Sequence, residues 1–164
     1  MYEVGILILG MLIGTLPSWF TRKRRLKTHW AAIRAEMEQC KEKAESIIGK
    51  GSGPFVLSPL YRLPLLSYQV SFPILLADGA LSENETKRLS RFYSQIQDIN
   101  RGLDNAAEMY KNDNKLLMKE HDRNKLKAEG LLKPKDGEKS MYEIAINIVD
   151  NKLSQKWWKY VTHA

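Results

Sequence analysis

The sequence predicts an all-α protein, with one N-terminal transmembrane helix followed by a cytoplasmic bundle of about four helices and a proline-rich apolar loop. Three observations favour this fold. Residues 4–21 carry no ionisable side chain, all 26 Lys and Arg residues lie after position 21, and apolar residues recur at helical spacing in later segments. We expect a transmembrane anchor over 1–21, a juxtamembrane amphipathic helix over 22–49, and a helical domain over 50–164 that packs on it.

The composition permits a folded core and excludes several classes of protein. The chain has 164 residues, of which 43% are apolar and 27% charged, so one domain of ordinary size can bury a core. This excludes a wholly disordered chain, a collagen-like repeat and a disulfide-stapled miniprotein. The single cysteine, Cys40, cannot form an internal bridge, which agrees with a reducing compartment.

The N-terminal segment has the pattern of a short membrane span. As a helix, Val4–Phe20 is roughly 26 Å long, near the lower limit for crossing a bilayer. Trp19 and Phe20 mark the interface, and five basic residues follow at once: Arg22, Lys23, Arg24, Arg25 and Lys27. An aromatic belt followed by basic residues indicates the cytoplasmic edge of a span. The segment therefore predicts a single-pass protein of the cell (inner) membrane, with its N-terminus outside and the bilayer as a partner.

Two other interpretations of this segment are less favoured. A cleaved signal peptide has positive charge before its apolar stretch and small residues at the cleavage site, whereas here Glu3 precedes the stretch and bulky residues end it. A buried core helix would have a polar face, which this segment lacks. Gly10 and Gly14 form a G-x-x-x-G pattern that allows a second membrane helix to approach closely, although glycine is also simply common in membrane spans.

Residues 26–47 predict an amphipathic helix with a continuous apolar seam. The seam residues are spaced 4, 3, 4, 3, 4, 3. They are Leu26, Trp30, Ile33, Met37, Cys40, Ala44 and Ile47. Packing on later helices of the same chain is favoured over a homodimeric coiled coil, and Cys40 is expected to be a buried apolar group. The basic cluster before the seam sets topology and attracts anionic lipid, while nucleic acid is an unlikely partner because no interleaved aromatic residues or reading helix accompany it.

The next segment, Phe55–Leu76, is rich in apolar residues and prolines. Proline at this density predicts an irregular loop through Tyr61, then one or two short helices that use Pro64 and Pro73 in their first turns. The segment is either buried under the helices, applied to the membrane or docked to a partner, and burial is favoured. Arg62 is a lone charge within it, which we expect to pair with a buried carboxylate or a lipid phosphate.

Three further helices follow. A capping box at Ser82–Glu85 predicts a helix to about residue 110, and a second box at Ser140–Glu143 predicts a final helix. Between them, residues 111–139 predict a solvated helix with a thin apolar stripe and a loop at 133–137. Trp157 and Trp158, among lysines, fit either a membrane interface or the closing of the core.

No residue pattern assigns chemistry. His29 and Cys40 are roughly 16 Å apart along a helix, too far to hold one metal ion or to act as a nucleophile–base pair. No phosphate-binding or nucleophile motif is present, so the sequence names no catalytic residue, cofactor or metal ligand and gives no reason to assign an enzyme.

The leading hypothesis is a non-catalytic accessory, scaffolding or assembly subunit at the cytoplasmic membrane face, with a protein partner or as a homo-oligomer. One alternative is a membrane-tethered enzyme or ligand sensor with a pocket near Tyr61, Arg62 and Tyr68. The other is an electrostatic lipid or nucleic-acid binder. The contact residues that we expect are those picked out above: Gly10, Gly14, Trp19, Arg22, Lys23, Arg24, Arg25, Tyr61, Arg62, Trp157 and Trp158.

Overall fold

A computed structural model describes residues 2–49, 62–109, 114–134 and 137–155, with the side chains of residues 2–17 and 114–116 outside the description. Its helices are α1 (Tyr2–Gly49), α2 (Leu66–Ala77), α3 (Glu83–Met109), α4 (Asn114–Leu132) and α5 (Met141–Ser154). No strand occurs in these ranges. The predicted all-α fold is confirmed.

Helix α1 joins the predicted anchor and juxtamembrane helix into one continuous element. Its 48 residues are about 72 Å long. The seam residues from Trp30 to Ile47 are buried in one core with α2, α3, α4 and α5, and Leu26 packs at its edge. Packing of the seam on later helices of the same chain is therefore confirmed.

The burial of the N-terminal part of α1, residues 2–17, is outside the description. The predicted contacts of Gly10 and Gly14 fall among residues whose side chains are not described. Within the described part of the chain, no helix is both long enough and apolar enough to traverse a bilayer.

The two capping boxes form as the sequence predicts. Ser82 and Glu85 exchange backbone N–H bonds of 2.8 and 3.3 Å at the start of α3, and Ser140 and Glu143 exchange bonds of 2.7 and 3.1 Å at the start of α5. The described part of the proline-rich segment differs from the prediction at both prolines. It forms one helix, α2, which begins at Leu66, so Pro64 precedes the helix and Pro73 is internal to it, and neither lies in a first turn.

Side-chain pairs between helices fix their directions. Helix α5 runs antiparallel to α1, because Lys41 lies over the ring of Tyr142 and Arg34 binds Asp150. Helix α2 also runs antiparallel to α1, since Glu36 binds the start of α2 and Arg25 binds Asp78 at its end. The ends of α2 and α5 consequently lie beside residues 22–29 of α1. We call this region the basic end, comprising residues 19–29 of α1, Asp78 and residues 152–155.

Helix α4 differs from the predicted solvated helix with an apolar stripe. Leu126, assigned to that stripe, is 66% exposed. The buried face instead mixes apolar and polar residues: Leu117, Glu120, Asn124, Ala128 and Leu131. It packs on α3, where Lys127 donates to the carbonyl oxygen of Asp98 and Gln95 donates to that of Lys127.

Candidate membrane and partner interface

The basic end is organised around one carboxylate. Arg25 Nη2 donates to Asp78 Oδ2 at 2.9 Å, and Arg22 Nε lies 3.6 Å from Asp78 Oδ1. Arg22 also donates to the Asp78 carbonyl oxygen at 3.0 Å, which places a cation at the C-terminus of α2, where the helix dipole favours it. Both arginine side chains nevertheless remain 57% exposed, so they stay accessible to a further anion.

Two aromatic side chains precede the basic residues at the start of this end. Lys23 Nζ lies 5.5 Å from the centroid of the Trp19 ring, and that ring meets Phe20 edge-on at 5.0 Å. Phe20 is 60% exposed, and Arg24 and Lys27 are exposed as well. This arrangement of apolar rings beside cations suits a lipid headgroup region.

The C-terminal helix ends at the same place. Lys152 of α5 binds Glu85 of α3 at 2.9 Å, and α5 ends at Ser154. Trp157 and Trp158 follow within four residues in the sequence, but they lie outside the described residues. Tyr61 also lies outside them.

Arg62 pairs with a carboxylate, but not with a buried one. Its Nε donates at 2.7 Å to Asp104 of α3, and both side chains are exposed. The sequence could not identify this partner, because Asp104 lies 42 residues away on another helix.

Side chains of α1 and α3 hold the irregular segment before α2. Lys43 donates to the Arg62 carbonyl oxygen at 3.0 Å, and the Asn100 amide bonds both backbone groups of Leu63. The thiol of Cys40 donates to the Pro64 carbonyl oxygen at 3.4 Å. The expected burial of Cys40 is confirmed, and this burial raises the pKa of its thiol to about 12.

The N-terminus of α2 is capped from α1. No side chain of α2 itself caps it; instead the buried carboxylate of Glu36 accepts bonds from the Ser67 and Tyr68 N–H groups at 2.6 and 3.1 Å. A negative charge at this position satisfies two orphan donors and complements the helix dipole. Further along, His29 bonds Ser71 at 3.1 Å, so α2 is fastened to α1 along its length.

A stack of aromatic rings fills the space beneath α2. Tyr68 stacks on Tyr93 with centroids 4.2 Å apart, and Phe72 packs on Tyr68 at 5.0 Å. Burial and the nearby charge of Glu36 raise the pKa of the Tyr93 hydroxyl, so it stays neutral. Its oxygen is buried and finds no hydrogen-bond partner among the described residues.

The opposite side of α2 carries no charged residue. Its exposed residues, which we call the outer face of α2, are Leu66, Gln69, Val70, Pro73, Leu76 and Ala77. Leu66 is 71% exposed, Val70 53% and Leu76 42%, so large apolar side chains are exposed together on one face of the helix. The Phe55–Leu76 segment was expected to be buried under the helices or, less favourably, to contact the membrane or a partner. In its described part, Leu63, Phe72 and Leu75 are buried, whereas the outer face of α2 is exposed.

Asp78, Glu36 and Asn100 organise this region, and no sequence pattern singled them out. The spacing Leu66, Val70, Pro73, Ala77 is a signal for one helical face, but periodicity alone cannot tell a buried face from an exposed one. Within the described residues, no three His, Cys, Asp or Glu side chains converge to hold a metal ion. No protein-family model, curated protein or solved structure matches the chain.

Proposed function

We propose that the protein is a non-catalytic accessory subunit, which its N-terminal segment holds at the cytoplasmic face of a membrane and which presents the outer face of α2 to an apolar helix of another membrane subunit. The observation that carries this proposal is the uncharged, exposed outer face of α2. A helix that carries no charged side chain on any face is ordinarily covered.

The anchoring part of the proposal rests on the sequence of residues 4–21 and the five basic residues that follow. Helix α2 lies alongside α1, with its C-terminus beside those basic residues. If α1 stands upright on the membrane, the outer face of α2 is a stripe directed sideways rather than towards lipid. That direction suits a neighbouring helix in the same membrane complex.

Two observations favour this function over a pocket-based enzyme or sensor. Arg62, which that alternative needs as a binding group, is paired with Asp104. Tyr68, which it needs as a lining residue, is stacked against Tyr93 and hydrogen-bonded through its N–H to Glu36. Both groups are thus used by the fold itself.

The test compares two exposed apolar positions on different helices, Val70 at 53% and Leu126 at 66% exposure. The full-length protein and its Val70→Asp and Leu126→Asp variants are extracted from native membranes in mild detergent, and proteins that remain bound at high salt are quantified by mass spectrometry. Leu126 is the control because it is 66% exposed on α4, away from the outer face of α2. Urea unfolding of each variant checks that the fold persists.

We expect a stoichiometric membrane partner with the wild-type and Leu126→Asp proteins, reduced at least about tenfold by Val70→Asp, since burying an unpaired carboxylate costs several kcal/mol. A photo-crosslinker at position 66 should then attach to an apolar helix of that partner. Equal retention by all three proteins, or a crosslink to a second copy of this chain, would refute the proposal.

A further inference from the structure

We infer that the partner helix carries one hydroxyl or carboxamide side chain on an otherwise apolar surface, and that this side chain donates a hydrogen bond to the Gln69 carbonyl oxygen of α2. This inference rests on the proposed function, because it concerns the same outer face of α2. It adds the chemistry by which that face selects one apolar helix over another. The two residues that carry it are Gln69 and Pro73.

Pro73 leaves a gap in the backbone hydrogen bonds of α2. A proline has no N–H, so the Gln69 carbonyl oxygen lacks the helical donor that another residue at position 73 would supply. The helix continues on both sides of this gap. The Gln69 N–H bonds the Leu65 carbonyl oxygen at 3.0 Å, and the Asp78 N–H bonds that of Ile74 at 3.0 Å. The gap is therefore a local feature within the helix rather than its end.

This gap lies on the outer face of α2. Gln69 and Pro73 are both exposed, about one helical turn apart, with the exposed Val70 beside them. The ring of a proline crowds the carbonyl group of the preceding turn, and carbonyl groups on the solvent side of a helix tilt outwards. Both effects favour an outward-directed Gln69 carbonyl oxygen, at a place between the exposed side chains of Leu66 and Leu76.

The side chain of Gln69 adds a second hydrogen-bonding group at the same place. The two serines of α2 are used within the fold, since Ser67 donates to the Ala32 carbonyl oxygen at 3.2 Å and Ser71 bonds His29 at 3.1 Å. Gln69, by contrast, is exposed on the outer face. Its amide can both donate and accept, so it suits a hydroxyl or carboxamide group on the partner.

Covering the outer face makes a donor on the partner necessary. In the free protein, water can reach the Gln69 carbonyl oxygen. An apolar helix laid over Val70 and Pro73 displaces this water, and a buried polar group left without a partner weakens association by about tenfold. One donor at this position satisfies the carbonyl oxygen. A single polar side chain within an apolar contact also fixes the register of two helices.

Partner retention in native membranes tests this inference with the full-length protein. Gln69→Leu makes the outer face more apolar, and Gln97→Leu is the matched control, because Gln97 is exposed on α3. We expect Gln69→Leu to reduce retention of the partner by about tenfold and the control to leave it unchanged. Purely apolar docking has the opposite sign, since an added leucine would strengthen it. Retention by Gln69→Leu that equals or exceeds that of wild type overturns the inference.

Pro73→Ala separates a role in binding from a role in folding. It restores an N–H that bonds the Gln69 carbonyl oxygen, and alanine is the stronger helix former, so urea unfolding should show a more stable protein. Partner retention should nevertheless fall, because the acceptor is no longer free. A Pro73→Ala protein that is more stable and retains the partner in full would overturn the inference.

The inference and the proposed function fail in different ways. Full retention by Val70→Asp refutes the proposed function and this inference with it, whereas loss with Val70→Asp but not with Gln69→Leu removes only the donor. The crosslinked partner helix should contain a hydroxyl or carboxamide residue whose replacement by alanine weakens binding. The losses from this replacement and from Gln69→Leu should be less than additive, since the two side chains share a hydrogen bond. Fully additive losses, or a crosslinked helix without such a residue, contradict the inference.

Discussion

The side-chain amide of Asn100 closes a two-bond ring with the backbone of Leu63. The Leu63 N–H donates to Asn100 Oδ1 at 2.7 Å, and Asn100 Nδ2 donates to the Leu63 carbonyl oxygen at 2.9 Å, both within the core. Asn100 thereby supplies the two hydrogen bonds that a neighbouring β-strand would give to the Leu63 backbone. The irregular segment before α2 can therefore enter the interior without leaving these backbone groups unpaired.

Asn100→Ala should therefore lower the free energy of unfolding by about 2–4 kcal/mol, because it leaves two buried backbone groups without partners. Urea denaturation measures this loss. Asn105→Ala is the matched control, since Asn105 is exposed on the same helix and its replacement should be neutral or slightly stabilising. Equal effects of the two variants would mean that the Leu63 backbone does not depend on Asn100.

Two glycines on neighbouring helices should respond to alanine in opposite directions. A Cβ at Gly102 of α3 would overlap Oδ1 of Asn124, whose amide is buried against it without a hydrogen-bond partner among the described residues. Gly102→Ala should cost about 1–3 kcal/mol of stability. Gly130→Ala meets nothing within 4 Å and should stabilise α4 by about 0.5–1 kcal/mol.

Thermal and urea unfolding measure both glycine variants. The double variant Gly102→Ala/Asn124→Ala should recover part of the loss, because it removes the overlapping amide group. If Gly102→Ala is as stable as Gly130→Ala, α3 and α4 do not approach each other as closely at Asn124 as the structure shows.

The capping box of α5 should make the free energy of unfolding depend on pH in the acid range. Hydrogen bonds from the backbone and side chain of Ser140 lower the pKa of Glu143 below its ordinary value of 4.5. A lowered folded-state pKa gives stability that is present above the unfolded value and lost as pH falls through the folded one. Wild type should accordingly exceed Glu143→Gln in stability at pH 7, and the difference should shrink as the pH falls below about 4.5.

Denaturant titrations at pH 7, 4.5 and 3 follow this difference. Glu138→Gln, an exposed neighbour outside the box, serves as the control and should show no such convergence. A gap between wild type and Glu143→Gln that persists at pH 3 would contradict the role of the carboxylate.

Cys40 should resist alkylation in the folded protein. Its thiol is fully buried and its pKa is raised to about 12, so little thiolate forms at pH 8 and little reagent reaches it. Iodoacetamide labelling followed by mass spectrometry should detect modification only after denaturation. An Ala31→Cys variant, in which the new thiol is exposed on the same helix, should label in the folded state. Equal rates at both positions would show that the α1 seam opens.

Local signals account for what the sequence predicted correctly. The 4, 3, 4, 3 spacing located the buried seam of α1, and the Ser–x–x–Glu boxes located the starts of α3 and α5. These signals lie within one or two helical turns, where side chains act on their own backbone. The predicted apolar stripe of α4 was wrong because Glu120 and Asn124 are buried against the usual preference of polar residues, while Leu126 is exposed.

The partners of the interface residues could be identified only in the tertiary structure. Arg22 and Arg25 meet Asp78 across 56 and 53 residues, and Arg34 meets Asp150 across 116, so no local pattern could pair them. The sequence by itself determined that the chain is helical and which face of α1 is buried, because burial of apolar area selects the face. Only the tertiary structure decided that α2 keeps an uncharged outer face and that the ends of α2 and α5 converge on the basic end. Both the exposure of this face and the convergence of these ends depend on how the helices pack against one another in three dimensions.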